Sequence, residues 1–270
     1  MKGTPIITLL TDFGTRDWFV GTIKGVIGRI DPRAVVVDVT HEIEPGDIRG
    51  GAFALAASYS FFPRGTIHVV VVDPGVGSSR KAIVARTENF SFVGPDNGVL
   101  SWALAREKIK SVHVLENPQF FLQPLSHTFH GRDLFAPVAA HLSRGTPVRR
   151  FGRRLAQYVR LPWPEPCRTR SGWKGEVVYI DRFGNALTNL EAGRVKVPGG
   201  EGQWIVEARG LRCPLVSFYQ SVRMGRPAAV LGSSGFLEIA VNGGSAAKNF
   251  KLRPGTPVHL KRIRLCSARS

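Results

Sequence analysis

The stretch that most constrains the fold of this chain is Thr66–Lys81, a short apolar run followed by a glycine-rich loop. Thr66–Val72 is rich in β-branched residues and too short for a typical helix, so it predicts a buried strand. The loop DPGVGSSR then places the Asp73 carboxylate at its start and the Arg80 guanidinium at its end. Because ligands bind beyond the carboxyl ends of strands in open α/β sheets, we expect both groups to face a small ligand. Judged by its residues alone, the loop fits a glycine-rich turn with a surface ion pair equally well.

Strand-like and helix-like segments alternate around this stretch. Ile6–Leu10 predicts a first strand, and the apolar positions of Asp17–Ile30 recur near every 3.6 residues, as in a helix. The alternation predicts a Rossmann-like α/β/α domain with a largely parallel sheet. The remaining predicted elements are the strands Ala34–Val39 and Val112–Leu115, a hairpin of Ala82–Arg86 and Ser91–Val93, and the helices Ile48–Phe62, Val99–Ala105 and Leu134–Leu142.

The character of the sequence changes near residue 155. Three prolines within Leu161–Pro166 predict a stiff, extended linker. Short β-like segments follow, separated by Gly, Asn and Pro, as in a small all-β barrel-like domain. We therefore predict an α/β domain over 1–155, a linker over 156–171 and a β-barrel domain over 172–270. The predicted strands are Gly175–Ile180, Gln203–Ala208, Ala228–Leu231, Phe236–Ala240 and Pro257–Leu265.

The formal net charge of the 270-residue chain is +17, and it is unevenly distributed. Residues 1–150 carry a net +4 and residues 151–270 a net +13. Such a basic half is compatible with a protein that binds nucleic acid or another polyanion. Arginine is scattered in ones and twos, however, without a dense run or interleaved aromatic residues. This pattern favours a solvated basic surface, so we expect no nucleic-acid partner.

Apolar runs and cysteines limit the class of protein further. No apolar run approaches the roughly 20 residues that span a bilayer, so we expect no membrane association. The apolar run near the N-terminus is short and predicts a first strand, not a signal peptide. The three cysteines (Cys167, Cys213 and Cys266) are widely spaced and form no CxxC, which predicts neither a disulfide framework nor a zinc site. A reducing cytoplasm fits this composition.

Two further polar motifs of the first half stand next to predicted elements. Thr11–Gly14 follows the first strand, where the Asp12 carboxylate could hold a ribose diol and Phe13 would lie beside it. In FHGRD, His130 precedes a helix and could act as an acid or base near neutral pH. Taken alone, this motif is explained better by a capping turn with Asp133 as the cap. The other histidines, His41 and His68 among them, show no metal-ligand spacing.

The second half contains one dense polar motif, Tyr179–Asn189. Asp181 and Asn185 follow a strand and suit an adenine or amino-acid pocket, with Phe183 as a stacking face. A β-hairpin turn explains the motif equally well. Further polar positions come from Ser233, Ser234 and Glu238.

Taken together, these motifs resemble the S-adenosyl-L-methionine (SAM) hydrolase (adenosine-forming) family, also called SAM hydroxide adenosyltransferases, which is related to fluorinases and chlorinases. The resemblance covers nearly the whole chain and is carried by TDFGTRDWFVGTIKGVI, VVVDPGVGSSRKAI, VGPDNGVL, TFHGRD and IDRFGNALTNL, in this order. It implies an N-terminal α/β domain, a C-terminal β-barrel and a homotrimer. Each active site of such a trimer lies between the N-domain of one subunit and the C-domain of the next.

The resemblance also assigns roles to individual residues. The catalytic set falls on Asp73, Arg80 and His130, and the ribose-holding carboxylate falls on Asp12. The remaining assignments are Asp181 for the methionine amino group, Asn185 for adenine, Phe183 and Phe218 for the faces of the base, Ser233 for the methionine carboxylate and Val241 for backbone contacts to adenine. Phe13 and Glu238 complete the predicted substrate-binding residues, which include Asp12 but not the catalytic set.

The implied reaction is hydrolysis of SAM to adenosine and L-methionine, with SAM as a substrate and with no cofactor and no metal. The main alternative is a SAM-dependent halogenase on the same fold. In halogenases the position of Asp73 is Tyr and the position of His130 also differs, so the resemblance favours water over halide. The position of Ser234, next to Ser233, is Arg in halogenases. A basic polyanion-binding protein and an adenosine-binding protein without activity are the remaining alternatives.

Overall fold

The computed structural model of the chain describes residues 3–195 and 203–263, which belong to two compact units. The first unit ends at Pro162 and the second begins at Trp163. Within the described residues, no helix combines the length and the apolar character that crossing a membrane requires.

The first unit is built on a six-stranded sheet with the strand order β2-β1-β3-β5-β4-β6. Five of the six strands point the same way, because only β4 pairs antiparallel with both of its neighbours. This confirms the predicted largely parallel sheet. The strands are β1 (Ile6–Thr11), β2 (Val35–Thr40), β3 (Ile67–Val71), β4 (Ala82–Thr87), β5 (Ser91–Pro95) and β6 (Ile109–Val114).

Helices cover both faces of this sheet, as the alternating pattern predicts. The helices are α1 (Phe19–Ile30), α2 (Ile48–Ser58), α3 (Ser101–Leu104) and α4 (Ala136–Ser143). Successive residues of β3 serve opposite faces, since side chains alternate along a strand. Val69 and Val71 join the core beneath α1 and α4, whereas Val70 joins the core beneath α2 and α3. A strand buried on both faces explains why this stretch of the sequence is rich in β-branched residues.

The second unit is an antiparallel, nearly closed sheet with the order β11-β10-β14-β8-β9-β13-β12, and β7 pairs with β8. A bridge between Leu215 and Ala229 links the regions of β11 and β12 and nearly closes the barrel. This confirms the predicted barrel-like domain. The elements are β7 (Cys167–Thr169), β8 (Gly172–Ile180), β9 (Ala186–Glu191), β10 (Trp204–Ala208), β11 (Leu211–Pro214), β12 (Pro227–Leu231), β13 (Phe236–Val241), α5 (Ala246–Phe250) and β14 (Pro257–Arg262).

The proline-rich segment bonds to the unit on either side of the boundary. Before the boundary, the N–H of Leu161 donates to Ser101 Oγ at 3.1 Å. After it, Asn189 Nδ2 donates to the carbonyl oxygen of Pro164 at 2.5 Å. The last two positions of the strand predicted over Pro257–Leu265 lie outside the described residues, as does Cys266.

Candidate active site

The glycine-rich loop leaves β3 at the carboxyl edge of the sheet, where the sequence predicts a ligand site. Gly77 has a φ of +79°, and a Cβ at this position would lie 2.4 Å from the carbonyl oxygen of His127. Only glycine fits this conformation so close to another backbone segment. The loop therefore folds back against the segment before His130 and brings its charged end, Arg80, toward that histidine.

Arg80 connects the three predicted catalytic residues. Its Nε lies 3.0 Å from both carboxylate oxygens of Asp73, and its Nη2 lies 2.5 Å from Asp73 Oδ2. The same Nη2 lies 2.7 Å from His130 Nδ1. The side chains of Asp73 and Arg80 are only 4% and 11% exposed, so the pair is sequestered, unlike the surface ion pair of the alternative interpretation. The guanidinium also stacks over the Phe135 ring, 5.5 Å from its centroid.

His130 is held as a neutral imidazole with a defined tautomer. Because a guanidinium only donates, His130 Nδ1 accepts the bond from Arg80 and the ring proton resides on Nε2. Burial, and then the positive charge of Arg80, lower the pKa of His130 below its ordinary value of 6.5. The neutral form therefore dominates at pH 7, with Nε2 as its only N–H donor.

The segment after His130 differs from the capping turn that the sequence suggests. Residues Gly131–Phe135 form a π-helical turn that leads into α4, and π turns are frequent at functional sites. Asp133 is buried within this turn, where it pairs with Arg132 and accepts the N–H of Ser126 at 2.9 Å. Asp133 therefore anchors the chain before the turn and does not cap the helix.

Asp12 follows β1 and faces the same region as Asp73. Its Oδ2 accepts the N–H of Gly46 at 2.8 Å. Burial raises the pKa of Asp12, and the nearby charge of Asp73 raises it further, while the Gly46 bond opposes both. Beside it, the Phe13 ring packs against Phe19 and Phe129 with a centroid distance of 5.9 Å to each.

These elements enclose a cavity of about 550 Å³ in the first unit, a size typical of small-molecule sites. Four of the predicted residues line this cavity: Asp12, Phe13, Asp73 and His130. Arg80 lies behind them and bonds Asp73 and His130. Of the remaining wall, Gly131 belongs to the FHGRD motif. The other wall residues were not predicted to line a site: Phe19, Pro45, Gly46, Val71, Pro74, Val76, Thr128 and Phe129.

A second pocket of about 830 Å³ lies in the second unit and collects most of the other predicted residues. Phe218 does not line this pocket, although its side chain is exposed. The predicted residues that do line it are Asp181, Phe183, Asn185, Ser233, Glu238 and Val241.

The turn between β8 and β9 orients two of these residues. Asp181 accepts two bonds from Asn185, one from its backbone N–H at 2.8 Å and one from its Nδ2 at 2.9 Å. Asn185 Oδ1 is thus the side-chain atom left to accept a bond from a ligand. Phe183, at the tip of the turn, is 77% exposed. The motif is therefore a hairpin turn and a pocket wall at once, so the two interpretations of its sequence are compatible.

Tyr219 is a pocket residue that the sequence analysis missed. Its hydroxyl donates to Glu238 Oε1, and Glu238 is itself buried. Burial and the Glu238 carboxylate raise the pKa of Tyr219 to about 12, which keeps the hydroxyl protonated. Burial likewise raises the pKa of Glu238. Tyr219 follows Phe218 directly, so the aromatic pair was the available signal.

Within residues 3–195 and 203–263, no group of three or more His, Cys, Asp and Glu side chains is arranged to hold a metal ion. Cys167 and Cys213 are both free thiols.

Comparisons with known proteins agree with the geometry of both units. Models described as the SAM hydroxide adenosyltransferase N-terminal and C-terminal domains match residues 7–152 and 175–259. An (R)-S-adenosyl-L-methionine hydrolase of Thermus thermophilus is 38% identical, with 94% of this chain and 98% of that protein covered. A fluorinase of Actinoplanes sp. is 27% identical, with 95% and 97% covered. The crystal structure of an uncharacterized conserved protein from Thermotoga maritima has a TM-score of 0.88 at 38% identity, covering 94% and 99%.

Proposed function

Because this chain belongs to the SAM hydroxide adenosyltransferase family, we propose that it hydrolyses S-adenosyl-L-methionine to adenosine and L-methionine. The chain is more similar to SAM hydrolases, at 36–38% identity, than to fluorinases, at 26–27%. It is therefore an enzyme of the hydrolase branch, with SAM as its small-molecule substrate.

One observation supports this assignment above the others. A single guanidinium, that of Arg80, bonds both the Asp73 carboxylate and His130 Nδ1 at the wall of a cavity. A carboxylate and an imidazole N–H at such a wall can hold a water molecule through opposite ends, one accepting its proton and the other donating to its oxygen. A halide needs no proton acceptor and is repelled by a carboxylate, so this set of groups favours water.

The proposed reaction is a displacement at the ribose C5′ atom. The water oxygen forms a bond to C5′ while the C5′–S bond breaks, and its electron pair stays on sulfur. Methionine leaves as a neutral thioether, so the departing group needs neither a general acid nor a Lewis acid. Alignment of the water with the C5′–S bond supplies much of the acceleration.

The hydrogen bonds support the following proposed residue roles. His130 carries its ring proton on Nε2 and therefore donates to the water oxygen. The proton of the water passes to the Asp73 carboxylate, the one remaining acceptor of the three groups. Arg80 holds both partners and stabilises negative charge that develops on the attacking oxygen.

Substrate binding is proposed to use both units. Asp12 would hold the ribose hydroxyls beside the Phe13 ring, within the cavity of the first unit. In the second unit, Asn185 would bind adenine, and Glu238 adds a carboxylate to the same pocket. The further proposed contacts are Asp181 with the methionine amino group, Phe183 and Phe218 with the faces of the base, Ser233 with the methionine carboxylate and Val241 with adenine through its backbone.

We further propose that the enzyme is a cytoplasmic homotrimer whose sites combine the cavity of one subunit with the pocket of the next. Two observations support this arrangement. The predicted site residues are divided between the two units, and large apolar side chains near the pocket of the second unit, Phe183, Phe218 and Met224, are exposed. A complete site then forms only where the two halves meet.

The test is incubation of the purified protein with (R)-SAM in ¹⁸O-labelled water, with EDTA present. We expect equal amounts of adenosine and methionine, with one ¹⁸O atom in the 5′-hydroxyl of adenosine, detected by mass spectrometry. Parallel reactions contain fluoride or chloride, or omit EDTA. Halide-dependent formation of 5′-halo-5′-deoxyadenosine would identify a halogenase instead, and turnover only in the reaction without EDTA would contradict the metal-free scheme.

A further inference from the structure

Residues Asp12–Gly14, called the Asp12 loop below, lie next to a buried hydrogen-bonded pair, Thr11 and His41. This pair has no role in the proposed reaction. Thr11 Oγ1 lies 2.8 Å from His41 Nδ1, and the two residues are 0% and 4% exposed. Thr11 is the last residue of β1, directly before Asp12. Because it is fully buried, its hydroxyl cannot reach a substrate, which excludes a nucleophilic role.

A register irregularity between β1 and β2 creates this pairing. Leu9 pairs with Asp38, but Leu10 pairs with Thr40, so β2 contains one extra residue at this point. A regular ladder would place Thr40 beside Thr11, whereas the bulge brings His41 there. Bulges of this kind often redirect a side chain next to a functional site.

His41 holds the Asp12 loop at both of its ends. At the start of the loop, its ring bonds Thr11 Oγ1, which in turn accepts the N–H of Phe13 at 3.3 Å. At the end, its carbonyl oxygen accepts the N–H of Gly14 at 2.7 Å. A hydroxyl that accepts from the residue two positions ahead is an ST-turn, which fixes the local chain direction.

The outer side of the His41 ring faces the Asp38 carboxylate. Its Nε2 lies 3.0 Å from Asp38 Oδ1, off the line of a straight hydrogen bond, so the contact is chiefly electrostatic. Asp38 Oδ2 in turn lies 2.5 Å from Lys24 Nζ of α1. A ring proton on Nε2, the nitrogen on the carboxylate side, leaves Nδ1 to accept the Thr11 hydroxyl proton. Lys24 and Asp38 are each 40% exposed, so this outer link contributes little by itself.

We infer that His41 is a positioning residue for the substrate site. Through Thr11 and through its own carbonyl oxygen, it sets the backbone geometry that presents Asp12 and Phe13 to the ribose. This inference rests on the proposed function, because it assigns His41 to the binding half of that same site. A second contact supports this inference. Gly46, in the same loop after β2 as His41, donates its N–H to Asp12 Oδ2 and lies against Pro74.

The chain offers a matched control for this pair on the same strand. Thr8 Oγ1 lies 2.8 Å from His68 Nδ1, and both residues are as deeply buried as Thr11 and His41. Neither residue lines the cavity of the first unit. Loss of the Thr8–His68 bond therefore reports the general cost of removing a buried threonine hydroxyl from β1.

The experiment measures kcat and KM for SAM in matched variants. Thr11→Val removes the hydroxyl at constant shape, and His41→Leu removes the ring nitrogens. Each is expected to raise KM about fivefold, the effect of one lost hydrogen bond, with kcat within about twofold of wild type. Thr11→Ser and His41→Asn keep a hydrogen-bonding atom near the lost one and are expected to retain a KM close to that of wild type. Thr8→Val is expected to lower the melting temperature but leave KM unchanged.

Two results overturn the inference: a wild-type KM in Thr11→Val and His41→Leu, or an equal rise of KM in Thr8→Val. If Thr11→Val does not fold, the two His41 variants decide. Hydrogen exchange of the peptide containing Phe13 and Gly14 provides a readout without turnover, and it should accelerate in Thr11→Val but not in Thr8→Val. A wild-type protein that releases no adenosine contradicts the proposed function, while the exchange data still test the positioning of the loop.

Discussion

At the residue level, the guanidinium of Arg80 holds Asp73 and His130 in a geometry that a single ammonium group cannot reproduce. Arg80 uses Nε and Nη2 on Asp73 and shares Nη2 with His130. Lysine keeps the charge but lacks the planar fork that bonds both partners at once. We expect Arg80→Lys to lower kcat by about 100-fold or more, with a smaller change in KM, since the water is then poorly held. The measurement is steady-state release of adenosine, followed by liquid chromatography.

Arg132→Lys is the matched control for this variant. Arg132 also pairs with a neighbouring carboxylate, that of Asp133, and also stacks over a phenylalanine ring, that of Phe129. Its guanidinium bonds Asp133, which, unlike Asp73 and His130, does not line the cavity. Its replacement should leave kcat close to that of wild type, and a similar loss of kcat in both variants would contradict the role of Arg80.

The sequence predicted which residues lie together at the cavity better than it predicted how they are bonded. Asp73 and Arg80 stand at the two ends of one loop, so their proximity followed from the pattern. The Arg80–His130 bond joins residues 50 positions apart, and local patterns contain no information about such a contact. The contact of Tyr219 was missed for the same reason, because its partner Glu238 lies 19 positions away, on β13.

At the level of elements, the glycine-rich loop depends on Gly77 for its path. An alanine Cβ would lie 2.4 Å from the carbonyl oxygen of His127, in addition to the strain of a positive φ. We expect Gly77→Ala to displace the loop and reduce kcat at least about tenfold, because misplacement of catalytic groups by about 1 Å has large effects. Both kcat and the free energy of unfolding should be measured.

Gly145→Ala is the control that separates the backbone strain of a positive φ from displacement of the glycine-rich loop. Gly145 has a φ of +94°, but a Cβ there would meet nothing within 4 Å. Each variant should lose about 1–2 kcal/mol of stability from the left-handed conformation alone. A Gly145→Ala protein that loses kcat as severely as Gly77→Ala would show that general destabilisation, and not loop position, causes the effect.

The bounds of a helix were predicted best where its apolar repeat is regular. The helix predicted over Asp17–Ile30 is observed as Phe19–Ile30, because its apolar repeat extends over several turns. The helix predicted over Ile48–Phe62 ends at Ser58, and a 3₁₀ turn replaces its last residues. β9 was not predicted as a strand, since Ala186–Glu191 belongs to a motif whose polar residues suggested a pocket. The strand begins where the pocket turn ends, so Leu187 belongs to the strand and also lines the pocket.

At the level of the whole molecule, the basic second half does not form a uniform positive surface. Several of its cations are paired: Lys261 Nζ lies 2.5 Å from Glu207, and Arg194 Nη1 lies 2.6 Å from Glu165. The scatter of arginine in the sequence therefore corresponds to local ion pairs as well as to solvated charge. The net charge alone remains a weak argument for a polyanion partner.

The proposed division of each site between two subunits makes a quantitative prediction. Asp73→Asn disables the cavity of the first unit, and Asn185→Ala weakens the pocket of the second. Each homo-oligomer should have low activity at limiting SAM. In a trimer coexpressed from both genes, about a quarter of the interfaces combine an intact cavity with an intact pocket, so about a quarter of wild-type activity should return.

The control for this experiment is coexpression of Asp73→Asn with His130→Gln. Both changes lie in the same unit, so every cavity contains one defect and no activity should return, whichever subunits meet. Sites built from a single chain give no recovery in either mixture, which would contradict the shared site. The recovered fraction does not determine the number of subunits, because any ring of subunits with the same interface recovers a quarter of the activity. Size-exclusion chromatography with light scattering measures whether the active species has three subunits.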